Sequence, residues 1–153
     1  MLAVGDPAPD FRFRLADGSE RTLSSYRGRE VILYFFPKAN TSGCTIETRG
    51  FAQQYAEFQR AGLEVVGVSV DSAETQAAFA EKCGSTFPMV GDRSKEIART
   101  YGVLGLLGVT KRVTYLVGAD GKVRDMVEGL LPAPHLKAAQ RWAASASAPK
   151  SGS

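Results

Sequence analysis

Apolar residues recur along this chain in two rhythms, and the change from one to the other marks out the elements. The stretch FRFRLADGSERTL alternates apolar and polar residues around Asp17-Gly18, which predicts a hairpin turning at that pair. VILYFF (31–36) is a continuous apolar run of β-formers and predicts a strand covered on both faces. From Gly43 to Arg60 the rhythm becomes helical, with Ile46, Phe51, Tyr55 and Phe58 on one stripe and Gly62 as the stop. EVVGVSV (64–70) predicts a second buried strand. SAETQAAFAEKC predicts a helix that begins after Asp71 or Ser72 and closes at Gly84. FPMVGD reads as a short extended piece, and SKEIARTYG as a short helix capped by Ser94 and closed by Gly102. RVTYLVGADGKVRDMVE is the clearest hairpin, turning at Asp120-Gly121. A last helix begins near Pro132 or Pro134 and runs through Leu136 to about Ala144, with Trp142 as a cover residue.

The order is a hairpin, then β-α-β-α, a short helix, a second hairpin and a final helix. Helical crossovers imply parallel neighbours at the sheet centre, and the late hairpin adds antiparallel strands. The fold class is therefore α/β: a central mixed β-sheet with helices on both faces and an N-terminal β-hairpin extension, a thioredoxin-like arrangement.

Composition narrows the function classes. With 153 residues, 44% of them apolar and 23% charged, the chain makes one globular domain that needs no covalent staples. That domain is expected over 1–144. SASAPKSGS is small and polar, so 145–153 are expected to be a disordered tail. The net charge of +3 is scattered rather than gathered in a stripe, which argues against nucleic acid as a partner. No apolar run approaches the roughly 20 residues of a membrane span. MLAVGDPAPDF lacks the charged start and long apolar middle of a secretory signal, so a soluble cytoplasmic protein is expected. In a reducing compartment the two cysteines are not expected to form a permanent bridge.

Cys44 stands apart from this background. It follows a central strand and falls in the first turn of the next helix, with Thr41 or Ser42 as N-cap. Unpartnered N–H groups and the helix dipole both favour a thiolate there, so the thiol pKa is expected to fall. Ligand sites in open sheets also lie beyond the carboxyl ends of the strands. Dithiol exchange would call for C-x-x-C, but this chain reads CTIE, with Glu47 in the second cysteine's place. A Cys-His hydrolase needs a base. The sole histidine, His135, lies at the start of the last helix, where a surface position is the ordinary one. Two cysteines and one histidine without useful spacing do not make a metal site, and no cofactor is expected. GVLGLLGV (102–109) lacks the G-x-G-x-x-G spacing. It reads as a loop near the pocket rim whose apolar side chains suit self-association.

PKANTSGCT fits P-x-x-x-[TS]-x-x-C, with Pro37, Thr41 and Cys44 in register, and so resembles the signature of peroxiredoxins. LYFFPKANTSGCTIE, GDPAPDF, VVGVSVDS and YGV are together similar to the bacterioferritin comigratory protein, or Q-type, branch, over about 4–142. The resemblance implies an arginine beside the thiol just before a late strand. KRVTYLV supplies Arg112, with Lys111 its only nearby rival, where a bare sequence reading gives a solvated charge at a strand end. It implies that Cys44 attacks a peroxide oxygen and becomes a sulfenic acid. Thr41 and Arg112 then hold the peroxide, and Pro37 shields the thiolate. Glu47 either orients Arg112 or is an ordinary solvent-facing helix residue.

The second cysteine departs from the branch's pattern. Many members carry a resolving cysteine five residues after the first, where this chain has Arg49. A subgroup places it on the next helix at the position of Ala80, and this chain has Cys83 one turn further on. Cys83 is either a resolving thiol released by fraying at Gly84 or a core residue packed with Phe79. The implied partners are hydrogen peroxide, small organic hydroperoxides and thioredoxin or a similar thiol reductant, acting on a monomer or weak homodimer. The alternatives are a one-cysteine peroxiredoxin, a thiol-disulfide oxidoreductase and a redox-sensing binding protein.

Overall fold

The computed structural model describes residues 1–15 and 17–147. Its strands are β1 (Arg12–Arg14), β2 (Glu20–Thr22), β3 (Glu30–Phe35), β4 (Leu63–Ser69), β5 (Met89–Gly91), β6 (Val113–Val117) and β7 (Val123–Glu128). The helices are α1 (Ser42–Arg60), α2 (Ala73–Cys83), α3 (Glu96–Thr100) and α4 (Pro132–Ser147), and a 3₁₀ turn covers Leu23–Tyr26. β1 and β2 pair antiparallel as the expected hairpin. The other five strands form one sheet in the order β5-β4-β3-β6-β7. β3 runs parallel to β4 and antiparallel to β6, and β7 closes the late hairpin, so the sheet is mixed and thioredoxin-like as expected.

The continuous apolar run of β3 is explained by its two covered faces. Val31, Leu33 and Phe35 point into one core with Phe13, Leu23, Tyr26, Ala98 of α3 and Tyr101. Ile32, Tyr34 and Phe36 point into the other, with Phe51 and Phe58 of α1, Phe79 of α2, and Ala138 and Trp142 of α4. Alternation along a pleated strand sends successive side chains to opposite layers. A central strand that must satisfy both layers therefore reads as unbroken hydrophobicity. Trp142 covers its core edge as expected, its indole N–H donating to Asp125 at 2.9 Å.

Three boundaries differ from expectation. α4 continues to Ser147, past the expected end of the domain at Ala144, and Ala146 still packs against the core. The rest of the expected tail, 148–153, lies outside the described residues. Ser94 is not the principal cap of α3, since its hydroxyl takes only the Glu96 N–H, at 3.4 Å. Lys95 adopts the left-handed conformation at the helix entry, which turns the first N–H groups toward buried Asp92. The Asp92 carboxylate accepts from Ile97 N at 3.2 Å and Ala98 N at 2.9 Å. Finally, Ile46 does not belong to the buried stripe of α1. It is 59% exposed, and the stripe is Cys44, Glu47, Thr48, Phe51 and Phe58.

Within GVLGLLGV only part of the apolar surface is open. Val103 is buried, while Leu106 and Leu107 stand almost wholly in solvent at the tip of a turn closed by the Leu104–Thr110 bridge. No helix among the described residues is long and apolar enough to cross a membrane.

The α3 cap gives a stability prediction. Asp92→Ala removes the acceptor for two N–H groups and should lower unfolding stability by about 1–2 kcal/mol in denaturant titration. Ser94→Ala should change it far less. Equal losses in the two variants would return the cap to Ser94.

Candidate active site

The antiparallel pairing of β3 with β6 assembles the site. Phe35, the last residue of β3, sits opposite Val113, the first residue of β6. The chain leaving β3 toward Cys44 and the chain entering β6 through Arg112 therefore share one edge of the sheet. The turn from Phe36 to α1 is pinned from two sides. Thr110 donates its hydroxyl to the Phe36 carbonyl at 2.6 Å. The Asp71 carboxylate accepts the Ala39 N–H at 2.8 Å and the Ser69 hydroxyl at 2.7 Å. Asn40 takes a left-handed conformation, with φ 67°, and sends the chain into α1.

Cys44 lies in the first turn of α1, fully buried, with a free thiol. Thr41 is the N-cap residue, but its hydroxyl does not cap. It donates instead to the Lys38 carbonyl at 2.7 Å, so no side chain closes the N-terminal turn. Thr41 is exposed at the mouth of the site, and Pro37 is half-buried where the chain leaves the sheet.

Arg112 ties the site together and is only 6% exposed, whereas its neighbour Lys111 faces solvent. Its Nε donates to the Leu130 carbonyl at 2.8 Å, Nη1 to Glu47 Oε1 at 2.6 Å, and Nη2 to Cys44 Sγ at 3.5 Å. A solvated charge at a strand end is thereby ruled out. Burial opposes the guanidinium's charge, but Glu47 and Cys44 outweigh it and hold Arg112 above its ordinary value. The close approach has a steric condition in Gly43, where a Cβ would lie 2.9 Å from Arg112 Nη2. Gly43 is thus a site residue that a motif of spaced Pro, Thr and Cys does not single out.

Glu47 is not a solvent-facing helix residue. It is fully buried one turn after Cys44, and orients Arg112 through the short ion pair. Burial raises its carboxyl from 4.5 to about 7, with Arg112 pulling the other way. Its second oxygen, Oε2, is buried without a hydrogen-bond partner among the described residues.

His135 also corrects the sequence reading. It is fully buried rather than on the surface, because it shares the inner face of α4 with Ala138, Ala139 and Trp142. Its Nδ1 meets the Thr114 hydroxyl at 2.8 Å, and its Nε2 meets the Gly129 carbonyl at 2.9 Å. Burial lowers its pKa; the Gly129 carbonyl opposes that shift and Arg112 adds to it. The spacing of three, four and seven residues to Ala138, Ala139 and Trp142 was the available signal in the sequence.

Cys83 ends α2, and Gly84 follows in the left-handed conformation, as expected for a helix stop. It is free, buried, and belongs to the same core cluster as Phe79 and Cys44. Burial pushes its thiol up, opposed by the positive charge of Arg49. Lys82 donates to the Asn40 side chain at 3.4 Å, joining the last turn of α2 to the loop before α1. No cluster of three or more His, Cys, Asp or Glu suited to a metal occurs among the described residues.

A buried thiol facing a buried, charged arginine at a helix head suits attack on a small electrophile. A family model described as AhpC/TSA matches residues 4–126. The chain belongs to the AhpC/TSA family. Peroxiredoxin Bcp of Escherichia coli is 32% identical over 148 residues, covering 92% of this chain and 95% of that protein. Among solved structures, peroxidoxin BcpB of Mycobacterium tuberculosis is similar with a TM-score of 0.85 at 32% identity, covering 95% of this chain and 98% of that one. Peroxiredoxin Q of Xanthomonas campestris gives 0.80 at 30%, covering 88% and 90%. Within the AhpC/TSA family the chain falls in the bacterioferritin comigratory protein, or Q-type, branch of the peroxiredoxins, and it is a thiol peroxidase.

Glu47 makes stability depend on pH with a definite sign. Between 4.5 and about 7 the folded protein keeps a proton that the unfolded chain has released, so this group's contribution weakens as pH rises through that window. Glu47→Gln should therefore gain stability relative to the parent as pH rises through the window, as read by thermal unfolding of both proteins. A constant gap across it would show that Glu47 does not ionise there.

Proposed function

We infer that Cys44 reduces hydrogen peroxide and small organic hydroperoxides. The observation that carries this reading is Arg112, buried, and donating to Cys44 Sγ with one edge while held by Glu47 with another. The similar Xanthomonas campestris bacterioferritin comigratory protein, whose structures address its alkyl peroxide reduction activity, supports the choice of organic hydroperoxides. The Cys44 thiolate attacks one peroxide oxygen along the O–O axis. The S–O bond forms, the O–O bond breaks, and the leaving alkoxide or hydroxide takes up a proton. Cys44 becomes a sulfenic acid. Arg112 and the Thr41 hydroxyl hold the peroxide and stabilise charge on the leaving oxygen, which requires the hydroxyl to turn away from the Lys38 carbonyl. Pro37 shields the sulfur from water.

Cys83 then attacks the sulfenic acid, expelling water and leaving an intramolecular disulfide. Thioredoxin or a similar dithiol in the cytoplasm reduces it, on a monomer or weak homodimer. Bonding distance demands that the end of α2 unwind. The last turn before Gly84, held by the Ser85 N–H to Ala80 carbonyl bond and the Lys82–Asn40 contact, is the segment to open. A second reading, a one-cysteine enzyme with Cys83 structural, is favoured by the burial of Cys83 beside Phe79.

Intact mass spectrometry after one equivalent of hydrogen peroxide separates the two. A resolving Cys83 gives loss of two hydrogens in wild type and a stable single-oxygen adduct in Cys83→Ser. A single-oxygen adduct in both proteins assigns Cys83 to the core.

Arg112→Met should lower the second-order rate of Cys44 oxidation by about 10²–10³-fold, measured by competition for hydrogen peroxide. A fall below tenfold would remove Arg112 from the chemistry.

A further inference from the structure

Beyond Arg112 the polar chain continues inward. Glu47 Oε2 has no hydrogen-bond partner among the described residues, and the group facing it is His135 Nδ1, at 3.9 Å. Both residues are fully buried, and His135 is the sole histidine in the chain. The Gly129 carbonyl, which can only accept, makes the His135 Nε2 a donor. Nδ1 is left facing two oxygens, Thr114 Oγ1 at 2.8 Å and Glu47 Oε2 at 3.9 Å. With no further proton, an ionised carboxylate oxygen confronts a nitrogen lone pair in a dry site. One proton, on either atom, removes that conflict.

Charge counting leads to the same place. An ionised Cys44, Arg112 and an ionised Glu47 beside a neutral His135 leave one net negative charge buried. Adding one proton to the Glu47–His135 pair makes the site neutral. Once Cys44 is a neutral sulfenic acid, Arg112 and Glu47 balance without that proton.

We propose that His135 is a positioning residue of the peroxidase site: with Glu47 it holds one shared proton while Cys44 is a thiolate, and the pair gives that proton up when the sulfur is oxidised. This rests on the peroxidase reading above and adds to it how the buried site keeps its charge balanced as the sulfur is oxidised. In the oxidation, the thiolate loses two electrons to the peroxide, the O–O bond breaks, and the alkoxide leaves. The alkoxide takes one proton from solvent and the pair releases one to solvent as the sulfur loses its charge, so the site and product balance without net uptake. Reduction of the sulfur back to a thiolate restores the proton to the pair. His135 acts only through Glu47, and Glu47 only through Arg112, so neither touches the peroxide.

The surroundings contain little else that titrates against the pair. Cys44 faces it from α1 and Arg112 from the entry to β6. Tyr34 of β3 stays a neutral phenol, pushed well above its ordinary value by burial. On β7, Asp125 is held by Trp142, Arg124 pairs with Glu30 and Glu128 is exposed. Lys137 and Arg141 of α4 point to solvent.

A single histidine makes the test direct, because its ring nitrogens give one unambiguous set of NMR signals. The His135 nitrogens and the Glu47 carboxyl carbon are titrated in reduced wild type and in Cys44→Ser, where a neutral hydroxyl replaces the thiolate. The pair should titrate about one pH unit or more lower in Cys44→Ser, since a buried negative charge is gone. Equal midpoints in the two proteins, or no titration in reduced wild type, overturns the proposal. In a second measurement, His135→Gln is assayed for Cys44 oxidation across pH. The Gln amide would donate to Glu47 and favour its ionised form, so the alkaline limb of the profile should move to lower pH. A profile lowered by one factor at every pH, or left unchanged, would mean that the role of His135 is only structural. The NMR comparison does not depend on that variant folding. A wild-type protein that reduces no peroxide sinks the peroxidase reading itself, whereas equal midpoints in an active enzyme sink only the role of His135.

Discussion

A guanidinium with little access to water must be matched on every side, and Arg112 is the group on which this architecture turns. Its three donor edges engage the Leu130 carbonyl, the Glu47 carboxylate and the Cys44 sulfur, which come from the approach to α4 and from two successive turns of α1. Burying a charge is tolerable only when it is paired and hydrogen-bonded, and removing one partner costs far more than the pair contributes. The three edges therefore constrain one another. Moving α1 breaks the Glu47 contact, and moving the β7–α4 turn breaks the Leu130 contact. The donor aimed at the sulfur keeps its direction because the other two are committed elsewhere. Gly43 gives the arrangement its tolerance, since any side chain there would meet Nη2.

The fold delivers these groups to one place by strand direction alone. An antiparallel β6 beside β3 puts the entry of one strand next to the exit of the other, so residues separated by 68 positions become neighbours. Parallel pairing would have put Arg112 at the opposite edge. The parallel β3–β4 pair instead brings the end of β4, with Ser69 and the following Asp71, to the turn before α1. Mixed pairing is thus a condition of the site, and so is the double burial of β3 that makes its sequence uniformly apolar.

What could be read from the sequence follows from what periodicity reports. The period of apolar residues names faces, and it located β3, β4, the late hairpin and the helices. The Cys44 motif and its register then pointed to Arg112. Periodicity is blind to a polar residue on a buried face, because such a residue looks like an interruption of the stripe. His135 falls into that gap, and periodicity alone leaves Glu47 undecided between orienting Arg112 and facing solvent. Ile46 joins the stripe of α1 on apolar character alone, although the inward position beside it is occupied by the carboxylate. The Asp92 cap was missed for a different reason. It depends on Lys95 adopting a left-handed conformation, which residue type alone does not announce.

The two cysteines lie in surroundings of opposite character, and the difference has a physical logic. Cys44 is held by groups that cannot move without exposing a charge, so its geometry is stiff. Cys83 ends a helix at a left-handed glycine, and its turn is tied down by one backbone bond beyond the stop and by a long lysine–amide contact. Terminal turns with few restraints open at small cost compared with global unfolding. Arg49 of α1 lies close enough for its positive charge to oppose the rise that burial imposes on the Cys83 thiol. A resolving thiol at Cys83 must leave its packing in the core beside Phe79. For such a resolving role the barrier lies in freeing the end of α2 and not in the exchange of sulfur partners, whereas the Arg112–Glu47 frame around Cys44 has no comparable loose end.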